Sequence, residues 1–238
     1  NVVVYLSSPL SVEQILEHGS AHVAIATGAR WRSDGYGRQH QFPIAGVASS
    51  NLFTPDDIMS GNRPGGNVLV YDDDHYYMGS VMAEQLVADG CRVTLATPHA
   101  VVASWTDYTL EQHRIQARLL ELGVEVIASH ALQEISTLDV TLACVYSGQP
   151  RLVDASSVVM VTSRLPEDAA YQELAADTQR LSDSGIVTLK QIGDCHGPAT
   201  IAAAVYEGHR FARELGEEVS EIPYRRELTE LADAFKLP

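Results

Sequence analysis

Apolar residues recur along this chain in two alternating rhythms: short unbroken runs, and longer stretches with a period near 3.6. Together they predict strands alternating with helices. The run VVVYL (2–6) is β-branched and apolar and predicts a strand. Ser11 and Gln14 follow at capping-box spacing and open a short helix that Gly19 ends. HVAIATG (22–28) predicts a buried strand running into glycine. From 29 to 66 the chain is rich in Gly, Pro, Ser and Asp and reads as a linker or crossover. Within it one short helix is predicted at 54–61, with Thr54 as cap and Pro55 in the first turn.

The middle of the chain is more regular. NVLVY (67–71) predicts a strand, 79–90 a helix closed by Gly90, and RVTLATP (92–98) a second buried strand. This is a βαβ unit, for which a right-handed crossover and a parallel sheet are expected. A helix over 109–123 is predicted to open with a Thr109/Gln112 capping box and to end at Gly123, before a strand at 124–129. VTLACVYSG (140–148) and RLVDASSVVMVTSRLP (151–166) predict a short antiparallel meander returning to a buried strand at 157–162. IVTLKQIGDC (186–195) then leads into a long helix with Pro198 at its start, an alanine-rich close-packing face and Gly216 at its end. EIPYRRELTELADAF (221–235) combines charges with an apolar stripe and predicts a helix lying against another domain or subunit. The class is α/β.

Composition narrows the partners. The 238 residues are 45% hydrophobic and 20% charged with no long apolar run, enough for one large or two modest cores and unsuited to crossing a membrane as a helix. The opening NVVVYLSSPLS lacks a basic n-region and a small-residue cleavage site, so neither a signal nor a transit peptide is expected. A net charge of -15 repels nucleic acid and anionic membrane alike. Cys91, Cys144 and Cys195 are far apart and form no C-x-x-C pair, so local spacing builds neither a disulfide framework nor a metal site. A cytoplasmic setting is the simplest. His75, His113 and His196 sit in no motif that supplies a nucleophile and an orienting acid, and read as surface or hydrogen-bonded core residues. Trp31, Trp105, Tyr76 and Tyr77 suit packing.

One stretch raises a chemical question. VLVYDDDHYYMG (68–79) reads as a strand leading to a helix, the position at which a dinucleotide-binding fold places G-x-G-x-x-G. Only Gly79 matches that pattern, while Asp72 and Asp74 stand near the first two glycines. At ~4 Å and an effective dielectric of ~20, each carboxylate–phosphate pair costs about 4 kcal/mol, so NAD(P) is not expected at this turn. Three readings of the acids stay open. They cap the following helix, they receive a cation or a partner's arginine, or Asp72, Asp74 and His75 ligate a divalent metal.

Taken in order, HVAIATGARWRSDG, VYDDDHYYMG, VVASWTDYTLEQHRIQARLLELGVEV, VTSRLP and IGDCHGPATIAAAVYEG resemble the C-terminal nucleotide-fold region of the trimethylamine, dimethylamine and histamine dehydrogenase family. The resemblance to these NADH:flavin oxidoreductase-like proteins runs through nearly the whole chain. It implies Rossmann-like FAD/NAD(P)-binding domains of disulfide-reductase type, the first one incomplete. Residues 1–61 and 185–238 would form a partial FAD-like domain of ADP-binding type, and 62–184 a degenerate NAD(P)-like domain. Ala26, Thr27 and Gly28 would match the turn beside the nucleotide, and Gly193 and Asp194 a second turn of the same domain. In TSRLP (162–166), Ser163 stands where the family fold has glycine, a second sign of lost dinucleotide binding.

By the same resemblance, FMN and a 4Fe-4S cluster belong to a TIM barrel outside these residues, and the bound nucleotide is ADP or the adenine portion of FAD. No catalytic residue and no metal ligand is implied here. The expected partners are the FMN/4Fe-4S barrel domain or subunit and an electron-transfer flavoprotein, in an oligomer. Two functions follow as expectations: the structural and docking part of an amine-dehydrogenase-like oxidoreductase, inactive alone, or a free-standing ADP-binding module.

Overall fold

The computed structural model describes residues 2–47, 51–136 and 139–216. The helix expected at 221–235 lies outside the described residues. In chain order the first elements are α1 (Val12–Glu17), β1 (His22–Ile25), β2 (Ala29–Trp31), β3 (Leu52–Phe53) and α2 (Pro55–Met59). Next come β4 (Asn67–Asp72), α3 (Met78–Ala88), β5 (Arg92–Ala96), α4 (Gln112–Glu121) and β6 (Glu125–Ile127). Three strands follow, β7 (His130–Ile135), β8 (Asp139–Cys144) and β9 (Pro150–Asp154), then β10 (Ser157–Val161) and β11 (Arg164–Pro166). The described chain closes with α5 (Ala169–Ala175), α6 (Thr178–Asp183), β12 (Thr188–Gln191) and α7 (Ile201–Glu214). It divides into two compact units, one from residues 1–29 and 166–238, the other from 30–165.

The 30–165 unit is built on a five-stranded sheet of order β3-β10-β4-β5-β6, every pair parallel. Side chains of β4 alternate across it, as strand geometry requires. Val68 and Val70 pack with Met82, Leu86 and Leu119 of the helices, whereas Leu69 and Tyr71 pack with Leu132, Val140, Leu142 and Val153 of the antiparallel β7-β8-β9 sheet. Strand β10 is buried along its whole length, so the unbroken apolar run VVMV after Ser157 is the signature of a strand covered on both faces. Each such side chain contributes about 1.5–3 kcal/mol by leaving water. The expected βαβ unit is present as β4-α3-β5 with a parallel pairing.

The 1–29/166–238 unit holds a two-stranded parallel sheet, β1 beside β12, with a small core of Val12, Leu16, Ile25, Leu174, Ile186 and Cys195. Three local expectations are corrected here and in its neighbour. Residues 2–6 do not form a paired strand and are 70–89% exposed, because no strand among the described residues pairs with them. The alanine-rich side of α7 packs only in part: Ala202 is exposed, Ala203 and Ala204 are half-buried, with Ala204 beside Gly193, and Glu214 is the helix's buried residue. Helix α4 starts at Gln112 without a capping box, since the Thr109 hydroxyl donates to the Thr106 carbonyl and Gln112 Nε2 donates to the Val102 carbonyl and to Gln116. By contrast the Ser11/Gln14 and Thr54/Asp57 capping boxes both form.

Candidate functional site

The parallel sheet places one location apart from the rest. From β4 the chain proceeds to β5 and β6 on one side, and returns on the other side as β10, so strand order reverses between β4 and β10. Ligands of open α/β sheets bind beyond the carboxyl ends of the strands at such a point. Asp72, the last residue of β4, pairs in register with Val161, the last residue of β10. The DDDH stretch therefore begins at the reversal point.

Its backbone folds inward. The amides of Asp73 and Asp74 both donate to the Val161 carbonyl, at 2.8 and 3.1 Å, and Asp72 Oδ1 accepts from the amides of Asp74 and His75 at 3.2 and 3.0 Å. Those bonds hold His75 in the left-handed region at φ +65°, where a non-glycine residue is strained. The imidazole is buried, 3.3 Å from Asp73 Oδ1 through Nε2 and 3.4 Å from Thr97 Oγ1 through Nδ1, and it stacks on His99 with centroids 3.8 Å apart. Asp73 Oδ2 accepts from the Gln39 amide at 2.8 Å. Trp105 donates its amide to the His75 carbonyl at 2.9 Å and carries the Arg38 guanidinium over its ring at 4.1 Å.

Two glycines make room for these acids. A Cβ on Gly79 would stand 2.5 Å from Asp72 Cγ, and one on Gly37 would stand 2.2 Å from Asp73 Oδ2. Gly79 thus matches the last glycine of a dinucleotide motif in sequence, yet its space is taken by a carboxyl side chain. The helix-capping reading of the acids is corrected, because α3 has Tyr77 at its N-cap with no side-chain hydrogen bond and Asp72 serves the loop amides instead.

Burial governs the electrostatics. It pushes the Asp72 carboxyl up to about 7, against the hydrogen bond from the His75 amide and the nearby imidazole. Asp74 is raised for the same reason, opposed by Arg164 and Arg38. Burial also lowers His40 and His99 and raises the Tyr71 phenol well above its ordinary value. Among the described residues, the buried polar atoms His40 Nε2, Tyr71 OH, Asp72 Oδ2, Asp73 Oδ1 and Thr162 Oγ1 lack a hydrogen-bond partner. The Leu132 main chain lies beside both His40 and Tyr71 without meeting either in full hydrogen-bond geometry. The side chains of Asp72 and Asp73 are themselves fully buried in this turn. Ser163, in place of the family glycine, donates to the Tyr36 carbonyl at 2.6 Å and so helps hold the loop that covers the acids.

The residues expected beside a nucleotide lie in the other unit. Strands β1 and β12 run parallel, and the Ile192 amide donates to the Ile25 carbonyl at 3.0 Å, so the 26–28 turn and the 193–194 turn leave the same end of the pair. Gly28 and Gly193 both have positive φ, +79° and +65°. The Thr27 hydroxyl donates to the Glu167 carbonyl and to Cys195 Sγ, the Gly193 amide donates to Glu207 Oε2 at 2.6 Å, and Asp194 Oδ1 accepts from the Ala199 amide at 3.1 Å. Beside them is a cleft of about 280 Å³ lined by Lys190, Ile192, His196, Glu207, Arg210 and Glu214 among others. Lys190 and Arg210 both bind the Glu214 carboxylate, at 3.1 and 2.6 Å, and His196 lies 2.8 Å from Glu207.

Sequence reasoning missed this ion-pair cluster, whose one local signal is the Arg210/Glu214 spacing of four. It also missed the part played by His40 and Thr162, which reach the acids from separate parts of the chain, and by Tyr71, which precedes them in β4. Among the described residues, no group of three or more His, Cys, Asp or Glu side chains is arranged to hold a metal ion.

Residues 53–157 match a family described as the OYE-like second alpha/beta domain. Over 242 aligned residues the chain is 32% identical to dimethylamine dehydrogenase of Hyphomicrobium sp. (strain x), covering 92% of this chain and 33% of that protein. Among solved structures, histamine dehydrogenase from Rhizobium sp. 4-9 superposes with a TM-score of 0.87 at 45% identity, covering 94% of this chain and 35% of that one. The 6-hydroxypseudooxynicotine amine oxidase of Pseudomonas geniculata N1 gives a TM-score of 0.84 at 37% identity, over 89% of this chain and 31% of that one.

Fold and site together define an α/β chain of the OYE-like amine-dehydrogenase type, with a sealed acid loop at its reversal point. Over most of its own length the chain is similar to dimethylamine and histamine dehydrogenases, and it spans about a third of the length of these relatives. The class expected from the sequence, FAD/NAD(P)-binding Rossmann domains of disulfide-reductase type, is corrected accordingly. The physical reason is visible at the strand ends, where a buried carboxyl occupies the space that a phosphate-binding glycine turn leaves open.

Proposed function

We propose that this chain is the structural and docking portion, or a separate subunit, of a cytoplasmic amine-dehydrogenase-like flavoprotein oxidoreductase, and that it is not catalytic on its own. The observation that carries this reading is the 45% identity to histamine dehydrogenase, which runs through 94% of the chain yet accounts for 35% of that protein. Flavin chemistry, with FMN and a 4Fe-4S cluster, belongs in this reading to the polypeptide that makes up the other two thirds. The described residues here do not fit the cluster, because no three potential ligands are grouped. The acid loop fits a structural role as well: its polar groups are turned into the protein, with Asp72 and Asp73 fully buried. An electron-transfer flavoprotein would be the acceptor docking on the assembled, oligomeric enzyme.

A second reading is a free-standing module that binds ADP, or the adenine portion of FAD, through Ala26, Thr27, Gly28, Gly193 and Asp194. What favours it is that both turns leave the same end of a parallel strand pair. The Gly193 amide is already held by the Glu207 carboxylate at 2.6 Å, so an entering phosphate has to displace a like-charged group.

Native mass spectrometry of material purified gently from its source separates the two. An assembly containing a flavin- and iron–sulfur-bearing polypeptide, or a longer chain of which this is a part, is expected. A lone 25.8 kDa species carrying the added mass of one adenine nucleotide overturns the first reading in favour of the second.

A further inference from the structure

Two imidazoles lie face to face just beyond the end of β5. The His75 and His99 rings stack with centroids 3.8 Å apart and planes 25° from parallel, His75 buried and His99 exposed. A positive charge on His75 has a partner in Asp73 Oδ1, 3.3 Å from Nε2. One on His99 has none so close. Its Nδ1 meets the Ser104 hydroxyl at 2.6 Å, and of the charged groups that act on its ring His75 and Arg38 repel a proton there while Asp73 attracts it. The pair accommodates one charge and opposes a second.

His99 also anchors the residues that follow it. Its carbonyl accepts from the Ser129 amide at 2.8 Å, which fixes its backbone, while its side chain holds Ser104, the first residue of the 3-10 turn 104–109. Trp105 donates its amide to the His75 carbonyl at 2.9 Å, so both stacked histidines hold the turn. Non-glycine residues in the left-handed region stand at its two ends, Ala103 at φ +48° and Leu110 at φ +62°. Backbone of this kind persists only where its surroundings enforce it. Within the turn Thr106 alone is buried, and Tyr108 and Leu110 are 90% and 88% exposed.

We propose that the His75/His99 stack is an acid-sensitive latch: neutral His99 keeps the 104–109 turn closed, and its protonation splits the stack and frees the turn that carries Tyr108 to Leu110. Burial and the neighbouring His75 hold the His99 imidazole below its ordinary 6.5, with Arg38 acting in the same sense and Asp73 against them. The open turn therefore binds the proton more tightly than the closed one. The closed form has its full advantage above about pH 6.5 and loses it as pH falls through the lowered value. Asp72 acts in the opposite direction, since it gains a proton in the folded chain as pH falls through 7. Acid thus opens the turn while steadying the end of β4. Because His99 is exposed, water screens the repulsion, and the change is a matter of a few-fold.

Hydrogen exchange with mass-spectrometric readout on the 238-residue chain, normalised to the intrinsic rate at each pH, tests the latch at pH 7.5 and pH 5.5. Protection of the peptide containing residues 103–110 is expected to fall about threefold or more at the lower pH, with β4 and β10 keeping theirs. His99→Gln retains a hydrogen-bonding side chain at this exposed position and takes no charge. It is expected to show the same protection at both pH values. Equal protection of the wild-type peptide at both overturns the proposal, as does a His99→Gln chain that opens on acidification like the wild type. Parallel loss at β4 and β10 would overturn it too, because the opening would then be global. Ring-to-ring nuclear Overhauser contacts between His75 and His99 give a readout without any variant. They are expected at pH 7.5 and lost at pH 5.5, and contacts that persist while the turn opens would overturn the latch.

Discussion

A carboxyl group with no exposed surface is stable either neutral or fully paired, and Asp72 has one oxygen paired with two loop amides and the other with nothing. Folded, it titrates near 7, against an ordinary value of 3.8, because burial penalises the charged form. The folded state then binds a proton that the unfolded state has released. Stability from this group is complete below about pH 4 and is lost as pH rises through 7. Asp72→Asn keeps an acceptor for the amides of Asp74 and His75 without the charge. It is expected to match the wild type at pH 4 and to be more stable at pH 8 by up to about 4 kcal/mol, measured by urea unfolding at both values. Gly79→Ala tests the same contact from the helix side. Its Cβ would overlap Asp72 Cβ and Cγ at 2.7 and 2.5 Å, and a loss of about 1–3 kcal/mol is expected in the same assay. Little of this was legible beforehand. The sequence put three acids at a turn but carried no sign that Gln39 and His40 would help enclose them, since burial of a loop depends on residues remote in the chain.

At the scale of elements, the readable signals were those confined to one turn of backbone. Thr54 caps α2 with its own hydroxyl, as expected, and Asp57 reaches back to the Thr54 amide at 2.8 Å. Thr54→Ala is expected to cost about 1 kcal/mol, seen as a lower unfolding midpoint with unchanged denaturant dependence. Capping-box spacing held at Ser11 and Gln14 but failed at Thr109 and Gln112, where the preceding residues 104–109 form a 3-10 turn that takes the threonine for itself. Periodicity likewise located α3, β4, β5 and β10, all packed into one core, and it misled at residues 2–6, which are exposed, and in part on α7, where Ile201, Val205 and Tyr206 are exposed. Strand β7 escaped notice because His130 and the exposed pair Gln133 and Glu134 break its alternation.

At the scale of the whole molecule the two units differ in how much they bury. The 30–165 unit has two extensive apolar clusters on either side of its sheet, and the other has one small cluster. Thermal unfolding of the isolated chain is expected in two transitions, the 1–29/166–238 unit melting first, as calorimetry combined with exchange at β12 and β10 would show. A single transition with equal protection of both strands would count against this. What composition and strand–helix alternation conveyed at this scale was the α/β class. Strand order was not in the sequence, because nothing local to β10 says that it enters beside β4.

That entry has a consequence for synthesis. Strands β3 and β4 both precede β10 in the chain, yet β10 lies between them. As the polypeptide leaves the ribosome at ~5–20 residues per second, β4 must wait several seconds with one edge bare and its apolar faces half covered. During that interval β3 is its nearest available neighbour, and pairing with it would shut out the strand that belongs between. The newborn chain therefore depends on a delay, kept by its own slow long-range closure or by a holding chaperone, until the central strand has been made.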